Sequence, residues 1–430
     1  MPDINFTFGL DFGTSKTAIT LAKTGVNNPN VEDLLVEGQA DRIPTCVLRD
    51  KTTGAIYIGA EAEQEYQLQR DPVARANFEF FSNFKPQIHQ GDAYRQMAQH
   101  FLNEFCRKER IAGEFARYKG DAMIAVGCPV SWDAGAADLL RSLLRDAGFP
   151  PAFAIPEPVG AAFYFLSTKL KADAFHRDIV VFDWGAGTFD MTVLPSDQRM
   201  LDRPRTWGSS VYGGRLFDDL FYQWLCDAAR NQGLVDEVRK LEQHSIERDV
   251  LQGVKCRKIK ELFSQYYATH KPDESWACLE STRVGIRERK VDLGEFEVAR
   301  ISELDERMRD YRASEFVLEW LKLDRQIRPE EEHFVNALMA GRSVDLRGWA
   351  NVLIEAGLMN LRVAEGANAL LTGGSCSWKW FQDLIKEHAL FKGRQTAVHN
   401  DTRPASMRSA ATASSWFKKC RPAATISYWI

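Results

Sequence analysis

INFTFGLDFGTSKTAITLA fills residues 4–22, and IVVFDWGAGTFDMTVL fills residues 179–194. Each reads as an apolar, strand-like run ending in an aspartate, then a glycine-containing turn, then a second strand-like run. Laying Asp11 on Asp183 also lays Gly13 on Gly185 and puts Ile19 with Met191 in the following run. The simplest account is two related halves, each opening with a β-hairpin that carries an acid at its bend. Glycine lets such a turn approach a ligand closely, and successive N–H groups within it form a concave anion site. Thr14, Ser15 and Thr188 add hydroxyls. A phosphate chain gripped between the two turns would meet Asp11 and Asp183, carboxylates suited to holding Mg²⁺ through its waters. No G-x-x-x-x-G-K-[ST] stretch occurs, so the arrangement is not a P-loop.

Composition narrows the alternatives. At 430 residues, with 45% hydrophobic and 27% charged positions, the chain suits one large two-lobed unit or several subdomains. A formal net charge of -4 argues against nucleic acid or an anionic membrane as partner. The basic stretch from Arg203 to Arg215 reads as a solvated loop. Cysteines at 46, 106, 128, 226, 256, 278, 376 and 420 stand singly, without C-x-x-C, and read as buried small hydrophobes in a reducing compartment. Neither a secretory signal nor an apolar run near the ~20 residues of a membrane span is visible, so the expected location is the cytoplasm.

Between the hairpins, Ala122–Val126 reads as a buried strand and Ala134–Ala147 as a helix stopped by Gly148. Residues 155–166, IPEPVGAAFYFL, read as a tightly packed helix with Glu157 at its mouth. An inserted region over 40–118 holds a strand at Ala55–Ile58 and helices at Glu61–Leu68 and Ala93–Phe105. Residues 254–265 have helical spacing with a basic face, and the charged segment 281–345 reads as a solvent-facing subdomain. Residues 369–386, ALLTGGSCSWKWFQDLIK, form a buried strand, a Gly-Gly-Ser turn and a helix, a combination suited to ribose or phosphate. A final helix is expected over 401–417.

The order of LDFGTS, PEPVGAA, VFDWGAGTFD, YGGRLFDD and LTGGS resembles the nucleotide-binding domain of DnaK-type heat-shock chaperones (the heat shock protein 70 class) from Ile4 to about Ser415. The resemblance implies an α/β, actin-like ATPase fold shared with actin and the sugar kinases. It implies two lobes, 1–178 and 179–430, each with a mixed sheet flanked by helices around a duplicated ribonuclease H-like core. Four subdomains follow, the inserted ones lying at about 40–118 and 215–350, with the nucleotide cleft between lobes. By the same resemblance Asp11, Gly13, Thr14 and Ser15 form the first phosphate loop, and Gly185, Ala186, Gly187 and Thr188 the second. Lys85 and Glu157 would position the attacking water. Asp11 and Asp183 would reach Mg²⁺ through water, and Asp190 is a further acid of the motif. Gly214, Lys260, Ser264, Gly373, Gly374, Ser375 and Asp401 fall where the family holds the nucleoside.

The implied activity is Mg²⁺-dependent ATP hydrolysis with lobe closure, and the implied partners are ATP or ADP, protein clients, a co-chaperone and an exchange factor. The family usually offers a Glu and an Arg to the adenosine; Arg257 and Glu261 reverse those charges. Ser377 and Lys379 replace an Arg and a Pro, Ala186 replaces a Gly, and Ser409 another. Weaker or less base-selective nucleotide binding is therefore expected. The family's peptide-binding domain is missing, so the sequence is either a cut piece or a member without that module. Two other readings stay open: a nucleotide-binding regulator or scaffold with little turnover, and an actin-like filament subunit.

Overall fold

The two hairpins form in matching register. In the first, β1 (Phe6–Phe12) runs antiparallel to β2 (Lys16–Lys23), with Leu10 opposite Ile19 and Asp11 opposite Ala18. In the second, β10 (Ile179–Trp184) runs antiparallel to β11 (Phe189–Leu194), with Phe182 opposite Met191 and Asp183 opposite Asp190. The side chains of β10 and β11 are buried throughout, which suits a strand covered on both faces and explains the unbroken apolar runs. The structure is a computed structural model that describes residues 4–23, 31–38, 40–68, 76–161, 177–195, 205–285, 290–323, 327–394 and 396–398.

Each hairpin seeds a sheet of the same order. In the first, β8 (Ala122–Cys128) pairs parallel to β1 and β9 (Ala152–Pro156) parallel to β8, while β3 (Val31–Asp33) and β4 (Arg42–Pro44) pair with β2. In the second, β15 (Asn368–Thr372) and then β16 (Thr396–Val398) add parallel to β10, and β12 (Arg205–Ser209) adds to β11. The orders β3-β2-β1-β8-β9 and β12-β11-β10-β15-β16 correspond strand for strand. The expected α/β, actin-like ATPase fold with a duplicated core is met.

A third sheet, β5 (Cys46–Asp50), β6 (Ile56–Ile58) and β7 (Phe78–Ser82), lies between the two cores. Side chains alternate across a strand, so Val47 and Ile58 join the first core while Cys46, Leu48, Phe78 and Phe80 join the second. Helix α1 (Gly59–Leu68) adds Tyr66, whose hydroxyl donates to buried Glu247 at 3.1 Å. In the first core, α2 (Asp92–Arg107) and α3 (Ala134–Asp146) cover the sheet with Phe101, Phe105, Leu140 and Leu144. The Asp133 side chain caps α3 by accepting from the Ala136 amide, and Gly148 at φ 91° ends it, an angle glycine adopts without strain.

Two expectations need correction. Segment 281–345 is not a solvent-facing unit. It contributes β14 (Phe296–Val298), paired with β13 (Trp276–Cys278), and buries Val291, Leu293, Phe296, Val298, Ile301, Leu304, Met308 and Tyr311 in the second core. Charged residues between these positions masked their periodicity. The basic stretch is not a solvated loop either: Arg205–Ser209 is strand β12 and Arg215 is buried. Seven cysteines lie among the described residues, six of them buried and Cys106 partly so. Among the described residues no helix is long and apolar enough to cross a membrane. The expected helix over 401–417 lies outside them, as does the end of the one expected over 155–166.

Candidate functional site

The two hairpin turns have the same backbone closure. The Gly13 amide donates to the Lys16 carbonyl at 3.1 Å, and the Gly185 amide donates to the Thr188 carbonyl at 3.0 Å. Thr14, in the first turn, meets Gly187 in the second: a β-carbon on Gly187 would lie 2.5 Å from Thr14 Oγ1 and 2.9 Å from Pro86. Only a residue without a side chain lets the turns approach this closely. Gly187→Ala is therefore expected to cost about 1–3 kcal/mol, the usual penalty for forced overpacking. Thermal unfolding with and without Mg-ATP checks this, and an unchanged melting temperature in both would refute it.

Two further glycine-rich segments complete the floor. The Gly214 amide donates to the Gly185 carbonyl at 3.0 Å and the Arg215 amide to the Ala186 carbonyl at 2.9 Å, where α4 (Arg215–Asn231) begins. From the far side, Ser375 Oγ donates to the same Gly185 carbonyl at 3.2 Å. Gly373 sits at φ 86°, and a β-carbon there would lie 2.7 Å from Asp183 Oδ1. Gly374 starts the short 3₁₀ turn through Ser377, whose hydroxyl donates to the Gly374 carbonyl at 2.7 Å. The second turn, the start of α4 and the Gly373–Ser377 turn thus converge on Asp183, which is 8% exposed.

Lys85 lies in a 3₁₀ turn with Pro86 and is 2% exposed. Its ammonium donates to Glu157 Oε1 at 2.5 Å and to the Gly127 carbonyl at 3.5 Å, between the rings of Phe12 and Trp132. Burial pulls its pKa down most strongly, but the charge and hydrogen bond of Glu157, helped by Asp11, hold it above the usual lysine value. The group is a cation. Glu157 opens a helix directly after β9, where the helix N-terminus faces a carboxylate favourably.

Asp190 is 1% exposed and bridges the halves: Thr188 Oγ1 donates to it at 2.8 Å and the Val130 amide at 3.3 Å. Burial, then the negative charge of Glu157, pushes its pKa well above the usual 3.8. A carboxyl raised in the fold contributes fully below its unfolded pKa, and that contribution is lost as pH rises through the folded value. Asp190→Asn should accordingly gain stability relative to wild type as pH rises from about 4 to about 8. Parallel denaturant titrations check the trend; a difference that stays constant with pH would contradict it.

On α5 (Arg257–Tyr267), Lys260 pairs with Asp218 at 2.6 Å and donates to the Gly214 carbonyl at 3.0 Å. Ser264 shares a hydrogen bond with Ser377 at 3.0 Å. Arg257, preceded by a π-helical turn over Leu251–Cys256, donates to the Ser15 carbonyl at 3.1 Å and also to that of Gly253. Glu261 pairs with Lys16 at 3.5 Å. The expected phosphate, water-positioning and nucleoside residues thus come together, apart from Asp401, which lies outside the described residues. Sequence reasoning gave no contact to Arg257 or Glu261; their reversed charge order was the available signal. It likewise assigned Asp190 no partner in the first half.

Among the described residues no group of three or more His, Cys, Asp or Glu side chains could cage a metal. Asp11 and Asp183, at matching positions near the ends of β1 and β10, are hard oxygen donors of the kind that suits Mg²⁺, which keeps most of its waters.

Residues 145–282 match the family model described as Hsp70 protein. The DnaK chaperone of Thermosipho melanesiensis is 25% identical over 240 residues, covering 54% of this chain and 37% of the relative. That of Thermosipho africanus is 24% identical over 240 residues, with the same coverage. The DnaK of Nitrosopumilus maritimus is 25% identical over 233 residues, 53% of this chain and 35% of the relative. The match spans little more than a third of the length of these curated relatives. The family-model match over residues 145–282 and the distant identity over about half of the chain are consistent with an Hsp70-type nucleotide-binding domain.

Proposed function

We propose that the chain binds a nucleoside triphosphate with Mg²⁺ between its two hairpin turns and hydrolyses the γ-phosphate. One observation carries the reading: two acidic, glycine-bearing turns of identical register face each other, with buried Lys85 paired to partly buried Glu157 beside them. Backbone amides of residues 13–15 and 185–188 would bind phosphate oxygens. Asp11 and Asp183 would hold Mg²⁺ through its waters, and the ion would supply charge neutralisation at the phosphates. Lys85 adds a fixed cation, and Glu157 is the carboxylate placed to orient a water for in-line attack. Such a site works by positioning and electrostatic stabilisation, without a covalent intermediate. Closure of the lobes on the triphosphate, and their opening after hydrolysis, would be the output. Work on protein clients with a co-chaperone or exchange factor is proposed on the strength of the chaperone name borne by the relatives.

Single-turnover conversion of ATP with Mg²⁺ by the whole chain is the test. Saturated nucleotide without conversion would defeat the enzyme reading and favour a nucleotide-switched regulator or scaffold. The closed Lys85–Glu157 pair supports that second reading, because Glu157 must share its charge with a water to act.

A further inference from the structure

Arg257, Lys260, Glu261 and Ser264 follow the spacing i, i+3, i+4 and i+7, which lines up side chains along one face of α5. All four are bonded within the protein, and together they reach the first hairpin turn, the start of α4 and the Gly373–Ser377 turn. Arg257 and Glu261 hold the first hairpin turn through the Ser15 carbonyl and Lys16. Lys260 holds the start of α4 through Gly214 and Asp218. Ser264 holds the third turn through Ser377. The Gly373–Ser377 turn adjoins this face, since Ser375 joins the turn to Gly185 and Ser377 joins it to Ser264, so a nucleoside extending from the proposed phosphate site would pass between them.

A side chain already held by a partner is aimed at that partner, and turning it toward a base gives up the contact it holds. The exchange leaves less than the worth of one net hydrogen bond. The Lys260–Asp218 pair is the hardest to open, with side chains 9% and 5% exposed, because opening it would strand a buried charge. The Lys16–Glu261 pair is nearly half exposed and opens easily. A carboxylate, however, offers only acceptors, and every base has a donor for it, an amino group on adenine, cytosine and guanine and the N3–H on uracil. Glu261 can therefore bind a base edge without telling one base from another.

We infer that the site takes Mg²⁺-triphosphates irrespective of base, with affinity set by the triphosphate and with α5 serving as an interlobe clasp instead of a base reader. This rests on the triphosphate reading above. Titration calorimetry of the whole wild-type chain with the Mg²⁺ salts of ATP, GTP, CTP, UTP and inorganic triphosphate tests it. The expected dissociation constants of the four nucleotides lie within about tenfold of one another, no more than about the worth of one net hydrogen bond. ATP binding tighter than the other three by more than that factor overturns this inference and leaves the triphosphate reading standing. No heat from any of the five compounds overturns the triphosphate reading itself.

Discussion

Asp183→Asn slows single-turnover ATP hydrolysis about a hundredfold or more while leaving the fold in place, the size of effect seen when one electrostatic contact to the reacting centre is removed. The side chain sits at the end of β10, opposite Asp190 on β11 and Thr372 on β15, and 8% of the residue is exposed. An amide has nearly the same shape, so the close passage of Gly373 past Asp183 Oδ1 is preserved. What disappears is the negative charge proposed to hold the waters of Mg²⁺. That charge also raises the pKa of Asp190, so its loss relieves a repulsion and gives no reason for unfolding. The expected pattern is a melting temperature at or slightly above wild type with strongly reduced turnover. Turnover within about threefold of wild type, well short of the loss expected for such a contact, would remove Asp183 from the proposed chemistry.

The larger effect on stability is expected at Glu157. Glu157→Ala leaves Lys85, 2% exposed, as a buried cation without its carboxylate, a change that costs about 3–5 kcal/mol. Lys85→Met should cost less, because the orphan is then Glu157, whose side chain is 18% exposed and can reach water. The pH dependence separates this from a simple packing defect. In wild type the raised Lys85 pKa stabilises fully below the unfolded lysine value and is lost only above it. In Glu157→Ala burial, the largest influence, is opposed only by weaker ones such as the Asp11 charge and depresses that pKa, so the deficit against wild type is full near neutrality. It narrows as pH rises toward the lysine range, about 10–11. Urea titrations of the two variants across this range check both points. Equal costs for the two substitutions, or a deficit that does not change with pH, would show that the pair is not an isolated buried charge contact.

The hairpins were legible in the sequence because their contacts are local. Alternating apolar residues, an aspartate and a glycine turn specify a strand pair within one short stretch, and the repeated spacing carried the same register into both halves. Gly185, Gly187, Gly214 and Gly373 were legible for the same reason, as residues that turns and close backbone approach require. The Lys85–Glu157 pair joins positions 72 residues apart, and nothing near FFSNFKPQI marks its lysine as buried. Arg257 meets Ser15 across 242 residues, and Asp190 meets Val130 across 60. Likewise the charged segment 281–345 hides its buried positions until β13 and the second core stand beside them. By itself, then, the sequence determined the two acidic turns and the fold they seed, since local geometry dictates residue type there. Only the tertiary structure decided which charges are buried, which acid links the halves and which helix face is already occupied, because burial and pairing depend on what distant chain brings alongside.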